Sequence, residues 1–426
     1  METKKYDYVI VGSGAGGATL AKELSTKGKT VAVLEKGIKE VKLGGFFDCA
    51  RYYDLTAMKM GPTSREGDSI IWRTFMAGGP TVVCCGNGVR SLEKELAEFG
   101  INLEEEFKEA EEEMQIAPYD IRRLSPGGKR ILEASTELGY KMEPMPKFID
   151  PAKCTRCGHC QYGCAYGAKW TAVEFLDEAE KNGADIFYNH VVDKVIIENG
   201  SAKGVSLTKG NTSRINADAV ILSAGGLATP VILQHSGLDK AGSKYFMDMF
   251  VNTYGTAKGL DQTKEPTMAL VDLEFHESEG FLLSPFIHPK KMIRFLELGM
   301  RGMLMPTNGM LGIMAKTKDD SAGKVYPDGS FSKTITADDR KRLNKGHELS
   351  KEILIKAGAD SKSVVIGKVG GAHPGGTAAI GEIVDKDLQT EVNNLFACDA
   401  SVLPEAPGMP PILTIVALAK RLAKLL

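Results

Sequence analysis

The sequence predicts an α/β protein with a second, antiparallel part and a small cysteine-rich insert, and three observations predict it. Residues 6–35 run in the order apolar strand, glycine turn, helix, apolar strand, acid. Residues 245–365 change character, with strand-like runs and a hairpin turn. Residues 151–171 hold four of the eight cysteines at short intervals.

In the first stretch, residues 8–11 are a short apolar run, as expected of a parallel strand buried on both faces. Gly12, Gly14 and Gly17 follow as G-x-G-x-x-G, with Ala15 inside the turn. Residues 18–25 have helical composition, 30–34 are a second apolar run, and Glu35 closes it. A glycine pattern alone is weak. Here it follows a strand, opens a helix and precedes an acid by about twenty residues, which is the dinucleotide fingerprint of a Rossmann-type unit. The glycines let backbone approach a pyrophosphate, the helix N-terminus favours its charge, and Glu35 is placed to accept hydrogen bonds from the adenosine ribose hydroxyls.

Composition narrows the class. Charged residues make up 25% and hydrophobic residues 43% of 426, an ordinary globular balance with room for two or three domains. The net charge of -2 gives no field for nucleic acid. No apolar run reaches the length of a membrane span and the N-terminus carries no signal-peptide pattern, so the expected compartment is the cytoplasm. There, eight cysteines argue for metal or redox chemistry over structural disulfides.

Further along, Gly78-Gly79 reads as a loop where backbone approaches a ligand, with Cys84 and Cys85 directly after it. Residues 91–114 are a strongly acidic helical stretch, read as a solvated face. A helix is expected over 174–182, strands over 186–197 and 204–209 with Glu198-Asn199-Gly200 as a turn, and a buried strand over 219–222. Thr229-Pro230 opens a helix. In the second part, strands are expected over 267–273 and 311–316, a hairpin at 326–330 and a helix over 338–357. The methionines between Met292 and Met314 read as core packing. A strand over 394–400 and an amphipathic helix over 412–426 end the chain.

Cys154, Cys157, Cys160 and Cys164 are spaced C-x2-C-x2-C-x3-C, the bacterial ferredoxin run with Ala165 where its proline would stand. This predicts a [4Fe–4S] cluster, its fourth ligand being Cys164 or a distant cysteine such as Cys49, Cys84, Cys85 or Cys398. Zinc, which favours two separated CxxC pairs, is the main competitor.

Four segments together resemble the glucose–methanol–choline (GMC) family of flavoprotein oxidoreductases. They are the fingerprint through Glu35, the Gly78-Gly79 loop through Arg90, GGLATPVILQHSG over 225–237, and the C-terminal segment with HPGGT (373–377), NLFACDASVLP (394–404) and PPILTIVALAKRLA (410–423). The resemblance implies FAD as cofactor. It implies an FAD-binding domain formed by residues 1–245 and 366–426, the cysteine insert at 151–171, and an α+β substrate domain on an antiparallel sheet over 246–365. By analogy Gly12, Gly14, Ala15, Gly17 and Glu35 hold the ADP half. Gly78, Gly79, Cys84 and Asn87 belong to the loop over the flavin. Val192 stands where the family contacts adenine, Asp399 and Ala400 where it holds the pyrophosphate and ribityl chain, and Pro411 adds a further cofactor contact.

Oxidation of an alcohol by a flavin requires removal of a hydroxyl proton as hydride leaves, and histidine suits that role. His373 in HPGGT matches the family's active-site histidine. The other histidines (His159, His190, His235, His276, His288, His347) lack such context and read as structural, although His276 and His288 stand in the substrate part. The family's second histidine or asparagine falls here on Pro410, which offers no side-chain donor or acceptor. Cys84 stands where the family often has asparagine. A flavin beside a cluster converts two-electron into one-electron transfer, so the expectation is an alcohol or sugar dehydrogenase passing electrons to a ferredoxin-like carrier or a partner subunit. The alternatives are a C=C or C=O reductase and an electron-transfer subunit without substrate chemistry.

Overall fold

In the sheet they share, the strand Val31–Glu35 is buried along its whole length and Lys5–Val11 over its last three residues, with the helix Ala15–Thr26 packed against both. The computed structural model describes residues 5–39, 41–54, 61–298 and 308–426. Among them this sheet has seven strands. Its order is Asp185–Tyr188, Val31–Glu35, Lys5–Val11, Arg214–Leu222, Ser201–Lys209 and Val191–Glu198, with Leu395–Ala397 also paired to Arg214–Leu222. The first four and Leu395–Ala397 are parallel, and the remaining two form an antiparallel meander. The helix Ala15–Thr26 packs between Ala172–Lys181 and Ile412–Leu425.

The expected strand over 186–197 is two strands, because the chain leaves the parallel edge and turns into the meander. Asn189 makes that turn at φ 60°, and the amides of Asn189 and His190 donate to the carbonyls of Gly37 and Glu35. The acidic stretch is likewise two helices, Glu93–Glu98 and Glu104–Glu113. Its carboxylates are not merely solvated. Lys420 donates to Glu113 at 3.0 Å and Lys424 to Glu106 at 2.7 Å, clamping the C-terminal helix onto the second of them.

The second sheet is mainly antiparallel. Its strands lie in the order Ile70–Ile71, Gly370–Gly371, Met249–Thr256, Met310–Thr317, Phe281–Pro285, Leu270–Asp272 and Met142–Pro144, with Val365–Ile366 also on Met249–Thr256. It thus recruits short strands from 70–71, 142–144 and 370–371, outside residues 246–365. The helix Ala337–Lys356, capped by Thr336 and Asp339, covers one face. Gly346 lets it come so close that a Cβ there would stand 2.4 Å from the Ala315 Cβ. The hairpin at Tyr326–Ser330 joins Gly323–Val325 to Phe331–Lys333. Met292, Met310 and Met314 are buried, as read, while residues 299–307 of the methionine-rich run lie outside the described residues.

Candidate active site

The two sheets meet around one large cavity of about 690 Å³. Gly12, Gly14, Ala15, Glu35, Gly79, Cys84, Asn87, Val192, His373, Asp399, Ala400 and Pro411 line it together, although they are spread from residue 12 to residue 411. Gly17 and Gly78 are not in its wall. Gly17 serves packing instead: a Cβ there would meet the Gly12 carbonyl oxygen at 2.0 Å. The Gly78 amide donates to the Ser13 hydroxyl at 3.2 Å and ties the second glycine loop to the first. Gly17→Ala is therefore expected to displace the turn backbone and leave purified protein without bound FAD, checked by the flavin-to-protein absorbance ratio.

The phosphate end has the features of a dinucleotide cradle. Gly14 is the N-cap of Ala15–Thr26 and offers no side-chain acceptor, so the first-turn amides stay free for an anion. A Cβ on Gly14 would meet nothing within 4 Å. Glu35 accepts from the Ser13 hydroxyl at 2.6 Å and the Gly37 amide at 2.6 Å; burial raises its pKa and these hydrogen bonds oppose the rise. Asp399 accepts from the Gly225 amide at 2.8 Å, the Thr229 hydroxyl at 2.6 Å and the Ser401 amide at 2.7 Å, which binds the third segment to the C-terminal one. These residues fit FAD, whose pyrophosphate would lie on the free amides.

The antiparallel sheet supplies the other lining, with Phe250, Met268, Phe286 and Met314 as apolar wall and Lys316 and His373 as polar groups. His373 follows Gly370–Gly371, Asp248 precedes Met249–Thr256 and Lys316 is the last residue but one of Met310–Thr317, so three neighbouring strands bring them side by side. The His373 Nδ1 lies 2.9 Å from Asp248 Oδ2 and 2.5 Å from Lys316 Nζ. Burial and then the Lys316 ammonium hold the imidazole pKa down to about 4, against the opposing pull of Asp248. Burial also lowers the Lys316 pKa. Asp248 takes a left-handed backbone, φ 49°, and is braced from both sides: Asp319 accepts from the amides of Met247 and Met249, each at 3.2 Å. Asp319 in turn pairs with Lys333 at 2.8 Å, both fully buried.

His288, read as structural, lines the same cavity. It stacks on Trp72 with ring centroids 4.8 Å apart, its Nε2 lies 2.5 Å from Glu297 Oε2, and its Nδ1 lies 3.0 Å from Gln161 Oε1. The neighbouring glutamate was the missing signal, being nine residues on in sequence and joined only by the fold. Lys316 and Asp248 also went unread. A lysine inside the apolar run MLGIMAKT was the available clue to the first.

The cysteine run behaves differently from its spacing. Among the described residues, which include all eight cysteines, no three His, Cys, Asp or Glu side chains are placed to hold a metal ion. Cys154, Cys157, Cys160 and Cys164 are thiols outside the cavity wall, and the expected [4Fe–4S] ligand set is not assembled. Spacing along a chain allows ligation, but the Sγ atoms must also converge. The segment also buttresses the cavity. Lys169 donates to the carbonyls of Val82 at 2.8 Å, Cys84 at 2.5 Å and Cys160 at 3.3 Å, and Gln161 reaches the cavity wall. Cys84 points its thiol at the Thr81 carbonyl, 3.1 Å away.

No helix among the described residues is long and apolar enough to cross a membrane. Similarity to known proteins is extensive. An uncharacterized protein of Methanocaldococcus jannaschii is 31% identical over 98% of this chain and 99% of its own length. A long-chain-alcohol oxidase of Arabidopsis thaliana is 24% identical over 96% of this chain and 65% of its own. Formate oxidase of Aspergillus oryzae shares the fold, with a TM-score of 0.76 at 17% identity over 100% of this chain and 98% of that one. Pyridoxine 4-oxidase from Mesorbium loti does so with a TM-score of 0.72 at 17% identity over 99% of each. The models of the GMC oxidoreductase family match residues 6–247 and 317–419, well over half of the chain, so this chain belongs to that family and is a flavin-dependent oxidoreductase.

Proposed function

We propose that the protein oxidises the CH–OH group of a neutral alcohol, with FAD held by the cradle of residues 1–245 and 366–426 and the substrate against the sheet of 246–365. The observation that carries this is a buried imidazole, His373, held by Asp248 at 2.9 Å in a cavity walled by Phe250, Phe286, Met268 and Met314. FAD when bound supplies the acceptor for hydride. The chain's own part is to take the hydroxyl proton. With its pKa near 4, His373 is unprotonated at neutral pH and has a ring nitrogen free of a proton to accept one. The apolar wall keeps water from that nitrogen, and Asp248 gains a charged partner as the ring becomes imidazolium. Lys316 is matched by Asp248 at 3.4 Å, so this end of the cavity offers a neutral substrate no penalty and a carboxylate no unmatched cation. The Arabidopsis relatives named for long-chain alcohols support an alcohol with an apolar body.

The test is an anaerobic panel of primary alcohols, sugars and hydroxy acids, read by bleaching of bound FAD. Bleaching by apolar primary alcohols is expected. FAD that none of them reduces, but that enones reoxidise after chemical reduction, would replace this reading by the reductase one.

Electron exit through an iron–sulfur centre to a ferredoxin-like carrier or partner subunit is a second reading, favoured by the cysteine spacing alone, and the side chains do not supply its ligand set. Iron and sulfide per chain after anaerobic purification decide it. About four of each would establish the cluster.

A further inference from the structure

We propose that Lys316 is a second catalytic residue of this site: its ammonium holds the reacting oxygen of the substrate while His373 takes the proton, the role that Pro410 has no side-chain atom to fill. The inference rests on the alcohol reading above.

Burying an amine is costly unless its donors are satisfied, and the other buried lysines around the cavity satisfy theirs. Lys147 donates to the Cys85 carbonyl, the Asn87 amide oxygen and the Thr267 carbonyl. Lys169 donates to three carbonyls, those of Val82, Cys84 and Cys160. Neither lines the cavity. Lys316 is different. Its side chain is 3% exposed, it lies in the cavity wall, and among the described residues it has two partners, His373 at 2.5 Å and Asp248 at 3.4 Å. An ammonium has three N–H bonds. The His373 Nδ1 that donates to Asp248 cannot also accept, so Asp248 is the ammonium's protein acceptor among the described residues; at least one N–H is left without one, on a group that shares the cavity with the proposed base. Pro410 lines the same cavity.

The substrate O–H breaks and its proton passes to His373, which becomes imidazolium. The carbinol C–H breaks, its electron pair leaves as hydride for bound FAD, and a C=O bond forms. Negative charge develops on the substrate oxygen between these events. A fixed ammonium beside that oxygen stabilises the charge without reorganising. The same ammonium, facing His373, disfavours the imidazolium in the resting enzyme. The other groups around this pair are Asp248, in contact with both, and Asp319 and the Cys85 thiol, both felt by Lys316.

The test compares wild type with Lys316→Met, Lys316→Arg and the pair Lys316→Met/Asp248→Asn, which leaves no unmatched buried carboxylate. Two quantities are read: the anaerobic rate of FAD reduction by an alcohol, and the ring titration of His373 by NMR. For Lys316→Met we expect a loss of ~10²–10³-fold in reduction rate with FAD content unchanged. Lys316→Arg is expected to recover at least part of that loss. The His373 titration point should rise in Lys316→Met, rise less in the pair, where the upward pull of Asp248 is lost with the lysine, and stay low in Lys316→Arg. Reduction within about threefold of wild type in Lys316→Met, or a His373 titration that ignores the charge, overturns the proposal. A wild type that no alcohol reduces is a separate result, and it overturns the alcohol reading itself.

Discussion

His373→Ala is expected to slow alcohol-driven reduction of bound FAD by ~10²–10⁴-fold, the usual contribution of a positioned general base, with FAD still bound. The ring is in the cavity wall but belongs to none of the contacts that build the phosphate cradle, which come from Gly14, Glu35 and Asp399. Rate and cofactor content should therefore separate. His373→Gln keeps a hydrogen-bond donor for Asp248 and should lose nearly as much rate, because an amide does not accept a proton at neutral pH. In the wild type, the raw sign of the pH dependence follows from the lowered pKa. A base held near 4 stays unprotonated as pH falls through the ordinary imidazole range, so the acid limb of the rate profile should lie below that range.

The largest stability effect is expected at Lys333. Removing one partner of a buried ion pair leaves an uncompensated charge and typically costs about 3–5 kcal/mol. Lys333 and Asp319 are both fully buried at 2.8 Å, and Asp319 also braces the backbone on both sides of Asp248. Lys333→Met should lower the urea midpoint of unfolding by that equivalent. Burial already lifts the Asp319 pKa to about 6, and losing the lysine lifts it further. A carboxyl with a raised folded-state pKa binds its proton more tightly when folded, so stability falls as pH rises through that value. The penalty in Lys333→Met should thus be greatest near about pH 8 and shrink toward about pH 5. Lys333→Met/Asp319→Asn, which keeps the shape and removes the charge, should regain part of it. A loss of less than about 1 kcal/mol, independent of pH, would mean the pair is not a buried ion pair.

Much of the cradle was legible because it is local. Gly12, Gly14 and Glu35 lie within one strand–helix–strand unit whose spacing states its chemistry. Asp399, Pro411 and His373 were legible only through family resemblance, since no spacing joins them to the fingerprint. Asp248 and Lys316 were not legible: they stand 125 and 57 residues from His373 and meet it only through the pairing of three strands. The setting of His288 was not legible for the same reason, its Glu297, Gln161 and Trp72 partners arriving from separate segments. The cysteine run is the reverse case: its local pattern is strong, yet ligation depends on where the sulfurs point, which spacing does not state, while Lys169 and Gln161 tie the segment to the 82–84 loop and the cavity wall.

The most direct measurement is anaerobic mixing of the FAD-loaded protein with a primary alcohol carrying either hydrogen or deuterium at the carbinol carbon. The flavin should bleach in a single turnover, several-fold more slowly with deuterium, and at a rate that collapses in His373→Gln. Bleaching at equal rates with the two alcohols in the wild type, or bleaching unchanged by loss of the imidazole, would contradict carbinol oxidation with His373 as the base.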